Sequence, residues 1–291
     1  MSILIPQIAT PTGGDPASGQ ATVIVQPIFG GHIESAEVIV NADDWGRDRV
    51  VTNRTLDCFR AGAISSVSAM VFMTDSERAA ELARTNRIDA GLHLNFTTRF
   101  SAKSSLCMFE HHQKIVASLT HYRFSAAFYH PRLAASFEYV AKAQIEEYER
   151  LYGASPMRFD GDRQMHLCAN VLGQNLIPAG AIVRRNLACR QGSKYSFTRL
   201  LRSMKDARLA RRYRVADYFF DLHPTEPTAR LRSILDLGTR FNVEIETHPF
   251  FDEEYRFLMD GEFKRCRQEV KVARGYVLRS HLASRSQESL A

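Results

Sequence analysis

The 291-residue chain predicts an α/β fold, barrel-like, with parallel strands and outer helices. Three observations predict it. Short apolar runs alternate with helical stretches along most of the chain. Residues able to do chemistry sit just past the carboxyl ends of several runs, where the βα loops of such folds lie. A hydrophobic content of 45% is ordinary for a globular core.

Residues 1–34 are rich in Gly, Pro, Ser and Thr without a sustained period, and read as a flexible N-terminal extension. Val38 to Val40 is a buried strand, and the helical stretch Arg49 to Arg60 follows it. Ile64 to Met70 is a second strand. The next helix opens at Asp75 or Ser76, where Asp75-Ser-Glu-Arg offers an N-cap and an early acid. A third strand ends in Ala90-Gly-Leu-His-Leu94, and a long helix runs from about Leu133 to Tyr152. Strands at Met157 to Asp160 and Ala181 to Arg184 come next. Tyr218 to Phe220 and Val243 to Glu246 are strands, each followed by a helix, Thr228 to Arg240 and Asp252 to Met259. One α/β domain over 35–275 and a C-terminal tail over 276–291 result.

Lys and Arg outnumber Asp and Glu by six. They are dispersed except between Arg199 and Arg214, which reads as a solvated basic helix face, so a nucleic-acid partner is not expected. Five cysteines, Cys58, Cys107, Cys168, Cys189 and Cys266, contain no Cys-x-x-Cys pair, which argues for a reducing compartment. No apolar run approaches a membrane span and no secretory signal is evident, so a cytoplasmic location is expected.

The strand ends return a coherent set: Asn41, Asp43, Asp44 and Trp45; His93 and Asn95; Asp160, Asp162 and His166; Glu246 and His248. Adjacent carboxylates such as Asp43 and Asp44 repel each other unless a cation or proton satisfies them. A divalent metal would do so, one aspartate ligating it and the other serving as general base toward a water. The plainer alternative has one aspartate capping the following helix and the other exposed. His93, alone in an apolar strand, is either a hydrogen-bonded core histidine or a ligand sharing the rim with the acidic pair. His166 and His248 extend the set as ligand or acid/base candidates. His111, His112, His121, His130 and His223 have no such placement and read as surface or packing residues.

Asn41-Ala-Asp-Asp-Trp-Gly46 resembles the opening motif of the YdjC-like carbohydrate deacetylases, which include chitooligosaccharide deacetylases and hopanoid-biosynthesis-associated relatives. The resemblance continues through Ala61 to Met70, Ala90 to Asn95, Phe159-Asp-Gly161 and Glu246-Thr-His-Pro249, in the family's order, and spans Val38 to Gly261. It implies a barrel-like fold that binds a divalent metal, Mg or Zn, and removes acetyl groups from N-acetylated sugars. Carried over, Asp43 matches the proposed general base, and Asp44 and His93 match two metal ligands. The third ligand position, a histidine in the family, holds Asp162. The chain reads Asp162-Arg163-Gln164-Met165-His166 there, and of the family's three histidines only His166 survives.

An aspartate is itself an oxygen ligand, so an Asp44, His93, Asp162 site shifts toward harder ions. Aspartate is also shorter than histidine, and Arg163 adds a permanent charge beside the site. Two functions follow: a metal-dependent hydrolase with Asp43 as base and His248 as the acid for the leaving amine, or a degenerate member acting as a sugar-binding or regulatory protein. The partner in either case is an acetylated sugar or glycan. The resemblance also brings a homodimer into view, with no segment marking an interface. Asn41, Trp45, Asn95, Asp160, His166 and Glu246 are expected around substrate or behind the ligands.

Overall fold

The computed structural model describes residues 37–102, 104–121, 125–186, 206–267 and 270–279. The expected N-terminal extension, and the basic stretch up to residue 205, lie outside them. In chain order the regular elements are β1 (Glu37–Trp45), α1 (Arg49–Arg60), β2 (Ser66–Ala69), α2 (Ser76–Asn86), β3 (Asp89–Leu94), α3 (Leu106–His121), α4 (Ala134–Tyr152), β4 (Arg158–Gly161), α5 (Ala169–Gly173), β5 (Ile182–Val183), β6 (Tyr218–Asp221), α6 (Thr228–Leu237), β7 (Val243–Thr247), α7 (Asp252–Met259), α8 (Glu262–Arg267) and β8 (Lys271–Val272). A 3₁₀ turn over Asp162–Leu167 follows β4.

Every strand pairing is parallel, in the order β5-β4-β3-β2-β1-β7-β6, and β8 lies beside the first two residues of β1. The sheet curls into a half-barrel. Beside the edge strand β5, Ile182 forms an isolated parallel bridge with Arg214, in the segment that precedes β6.

The strands show why they read as apolar runs while carrying the site. Side chains alternate along a strand, and in a barrel one set faces the helices and the other the interior. Val38, Val40 and Ala42 of β1, Val67 and Ala69 of β2, Leu92 and Leu94 of β3, Phe159 of β4, and Val243 and Ile245 of β7 join the main core under the helices. The residues between them, Asn41 and Asp43, Ser66 and Ser68, Arg158 and Asp160, Glu244 and Glu246, are also buried or nearly so, but form a polar interior. Gly91 occupies the matching position before His93, because a Cβ there would lie 2.7 Å from the Arg158 guanidinium carbon.

Most expected elements stand with shifted ends. α3, which carries His111 and His112, and β8 stand beyond the expected elements; two residues such as those of β8 carry no periodic signal. Asp75 occupies the N-cap of α2 without a side-chain capping bond, because Arg78 engages both its oxygens at 2.9 and 2.6 Å. In the basic stretch, Asp206 to Ala210 is helical, Leu209 and Tyr213 are buried, and Arg208, Arg211, Arg212 and Arg214 are exposed. The chain stays packed through Tyr276 to Arg279, where a tail was expected: Tyr276 is buried and Arg279 donates to the Phe241 carbonyl at 2.6 Å.

Candidate active site

Asp43 and Asp44 close β1. Alternation alone would send their side chains to opposite faces, but the β1 to β2 register shifts between Ala42 and Trp45, and Asp44 adopts φ 65°. A bulge of this kind re-aims a side chain, and both carboxylates face the same group, His93, whose Nδ1 lies 3.8 Å from Asp43 Oδ2 and whose Nε2 lies 3.7 Å from Asp44 Oδ1. Neither aspartate caps α1. Asp48 does, accepting from the backbone N–H of Val50 at 2.9 Å and of Val51 at 3.0 Å.

His93 is fixed from behind. β3 and β4 align His93 with Asp160, and Asp160 Oδ1 binds Nδ1 at 2.8 Å while its other oxygen accepts from the Ser68 hydroxyl. A carboxylate behind one ring nitrogen sets the tautomer and leaves the other nitrogen free to ligate. Burial works against a charged imidazole, yet Asp43 and Asp160 outweigh it and push the His93 pKa up to about 9. The surroundings therefore favour positive charge at Nε2, from a proton or a metal ion.

At the centre sits Arg184, just past β5, which sequence reasoning missed. Its Nη1 and Nη2 clasp Asp43 at 2.6 and 2.7 Å, Nε donates to Glu244 at 2.7 Å, and Nη2 lies 3.3 Å from Asp160. Burial raises the Asp43 pKa, but Arg184 prevails, and the carboxyl is held below its ordinary value, hence ionised. Asn41 adds a bond from Nδ2 to Asp43 Oδ1 at 2.8 Å. The strand-end rule that singled out Asp43 and His93 applies equally to Arg184. Arg158, missed as well, alternates with Asp160 as Glu244 does with Glu246. That period-two charge pattern was the available signal.

Asp162 accepts from the Thr97 hydroxyl and, at 2.8 Å, from the Thr98 hydroxyl, both on Oδ2. Asn95 shapes that loop, its Oδ1 accepting from the backbone N–H of Thr97 and Thr98 at 3.2 and 2.8 Å. Arg163 is exposed, and it and Gln164 are left-handed, at φ 51° and 58°. His166 points Nε2 at the Arg184 carbonyl at 3.0 Å, and burial lowers its pKa to about 4, so it is a neutral structural residue. Trp45 is fully buried in the main core.

On the β7 side, His248 Nε2 lies 3.2 Å from Glu246 Oε1. Burial pulls its pKa down, but the Glu246 hydrogen bond and charge lift it to about 10, which makes it an imidazolium at neutral pH. Burial and the nearby Asp43 raise Glu246 to about 7. Of the remaining histidines, His112 is buried against Phe100, with ring centroids 4.1 Å apart, His111 bonds Ser136, His130 packs on Ser125 and Asn170, and His223 is exposed.

Three groups among the described residues bring potential metal-ligating atoms within 4.8 Å of one another: Asp43, His93 and Asp160; Asp43, Glu246 and His248; and Asp221, His248 and Glu254. In the first, Arg184 already supplies the compensating charge. Asp44 Oδ1 and His93 Nε2 face each other at 3.7 Å, while the other Asp44 oxygen, Oδ2, accepts from Arg47 Nη1 at 2.7 Å. Two ligands about 2.1 Å from one ion stand about 3.0 to 3.4 Å apart, so this pair fits a divalent ion after a small adjustment.

The sequence model of the YdjC-like protein family matches residues 37–274. The chain belongs to this family. It is similar to a carbohydrate deacetylase of Vibrio parahaemolyticus serotype O3:K6, 25% identical over 256 residues that cover 85% of this chain and 91% of that protein. It also matches carbohydrate deacetylases of Danio rerio, 28% identical over 136 residues, and Mus musculus, 29% identical over 140 residues, each match covering 46% of this chain. The matched segment spans 44% of each of those two relatives, less than half their length. A solved structure of a candidate cellobiose-phosphate cleavage protein from Enterococcus faecalis V583 shares the fold, with a TM-score of 0.58 at 19% identity, covering 84% of this chain and 98% of that one.

Proposed function

We propose that the chain is a metal-dependent carbohydrate deacetylase acting on N-acetylated sugars. The observation that carries the reading is the convergence of Asp44 Oδ1 and His93 Nε2 beside an ionised, buried Asp43. The names of the relatives support the substrate class.

Asp44 and His93 would hold the ion; Asp162, held on Oδ2 by the Thr97 and Thr98 hydroxyls, stands in none of the three groups of converging ligand atoms and would join as third ligand only through a water or a shift of its turn. When bound, a divalent ion supplies Lewis-acid polarisation of the acetamide carbonyl and acidifies water. Asp43 then takes the proton of the attacking water. Arg184 keeps this carboxylate ionised and limits its swing, so the base is ready without reorganisation. His248, charged at neutral pH through Glu246, gives a proton to the departing amine. Glu246, poised near 7, relays the next proton to it.

The test is metal content after dialysis, together with acetate release from N-acetylglucosamine oligomers, for the natural chain and for Asp44→Asn and Asp43→Asn. Stoichiometric metal that Asp44→Asn abolishes, with acetate release lost in both variants, is the expected result. A natural chain that binds no divalent ion and releases no acetate sinks the proposal.

A further inference from the structure

Tyr276 lies just past the stretch that the family model matches, in the segment after β8. It is buried in a small apolar cluster with Ile39 and Ala273, against which Ile182 and Leu278 pack. Ile39 stands near the start of β1, so this cluster closes the amino-terminal end of the half-barrel, beneath the polar interior.

Two arms run from Tyr276 to Asp43. Its hydroxyl donates to Glu244 Oε2 at 2.6 Å, Glu244 Oε1 accepts from Arg184 Nε at 2.7 Å, and Arg184 clasps Asp43. Its ring lies 4.5 Å from the Arg158 guanidinium. Arg158 Nη1 in turn donates to Asn41 Oδ1 at 2.9 Å, and Asn41 donates to Asp43. A residue serving only to fill the cluster would be equally good as phenylalanine. A buried carboxylate such as Glu244 is costly unless its oxygens are bonded, and the phenol supplies the bond that Arg184 does not. Burial and the Glu244 charge keep the phenol protonated, so it donates.

We propose that Tyr276 is a positioning residue of the active site: its hydroxyl aims Glu244 so that Arg184 seats squarely on Asp43, and its ring seats Arg158 behind Asn41. The C-terminal segment is then part of the catalytic machinery. This rests on the reading of Asp43 as the base.

The experiment uses the full chain and two readouts. The first is the ¹⁵N–¹H signal of the Arg184 Nε–H, assigned by its loss in Arg184→Lys. The second is kcat and KM for acetate release from di-N-acetylchitobiose. Tyr276→Phe, folded by its circular dichroism, is expected to shift the Arg184 signal and speed its exchange, with kcat down about tenfold and KM within about twofold. An unmoved signal with an unchanged kcat overturns the proposal. Glu244→Gln keeps the shape and removes the charge. It shows how far loss of the direct Glu244 charge moves the signal. If Tyr276→Phe does not fold, 3,5-difluorotyrosine placed at 276, which keeps the ring and alters only the donor strength of the hydroxyl, decides the matter: a shifted Arg184 signal is expected and an unmoved one overturns the proposal. If the natural chain releases no acetate, the deacetylase reading fails by itself. The Arg184 signal then decides alone, a shift supporting the tyrosine's role and constancy refuting it.

Discussion

Arg184→Met tests the electrostatic heart of the fold without reference to catalysis. The guanidinium is 2% exposed and faces four carboxylates, Asp43 at 2.6 Å, Glu244 at 2.7 Å, Asp160 at 3.3 Å and Glu246 at 3.7 Å. Removing one partner of a buried, hydrogen-bonded ion pair costs about 3 to 5 kcal/mol, since the charges left behind are neither solvated nor paired. In a domain of this size that lowers the melting temperature by about 10 °C. The loss also depends on pH. In the natural chain Arg184 holds Asp43 and Asp160 below the ordinary 3.8. Their stabilising contribution is therefore present above pH about 4 and is lost as pH falls through the lower folded values. Without the guanidinium burial prevails at Asp43, its folded pKa rises above 3.8, and the variant loses that residue's contribution as pH climbs past about 4. The gap between the two proteins should be widest near pH 7.5 and shrink toward pH 4, as followed by calorimetry or circular dichroism melts. A drop below about 3 °C at pH 7.5, or a gap that does not narrow with acid, would refute the reasoning.

His112→Phe probes a buried neutral imidazole whose pKa burial lowers to about 4. Unfolding lets it bind a proton between pH 4 and 6.5, so the natural chain should lose about 2 kcal/mol at pH 5 relative to pH 7.5 through this residue, and the variant's relative stability should rise by that amount in paired melts. Gly161→Ala would set a Cβ 2.8 Å from the Leu94 carbonyl oxygen. It is expected to cost about 1 to 3 kcal/mol and, by displacing the Asp160 to Asp162 turn, to weaken metal binding in titration calorimetry. Asp162→His, which restores the family's residue, should tighten zinc relative to magnesium in competition titrations, and an unchanged preference would place residue 162 away from the ion. Arg150→Ala removes exposed pairs to Glu147 and Glu77, and its melting temperature should stay within about 2 °C of the natural chain's.

The parallel α/β architecture and most of the site were legible because they are written in short-range patterns. Apolar runs at strand length, helical stretches between them, and the residues just past each run placed Asp43, Asp44, His93, Asp160 and His248 on one rim. The same reading passed over Arg184, although it ends Ala181-Ile-Val-Arg184, because a lone arginine at a strand end resembles ordinary surface charge until its four carboxylates are in place. Trp45, expected near substrate, belongs to the core because the bulge that turns Asp44 inward leaves the tryptophan on the helix side.

Local sequence thus settles which elements form and which residues crowd the carboxyl ends of the strands, since period and chain order fix both. It does not settle charge pairing. Asp43 finds Arg184 across 141 residues, Glu244 finds Tyr276 across 32, and Asp162 finds Thr98 across 64. These partners meet only when the sheet curls. The chain supplies the charges, but the closing of the half-barrel, which puts strands distant in sequence around one desolvated interior, decides which of them stand ionised and facing one another.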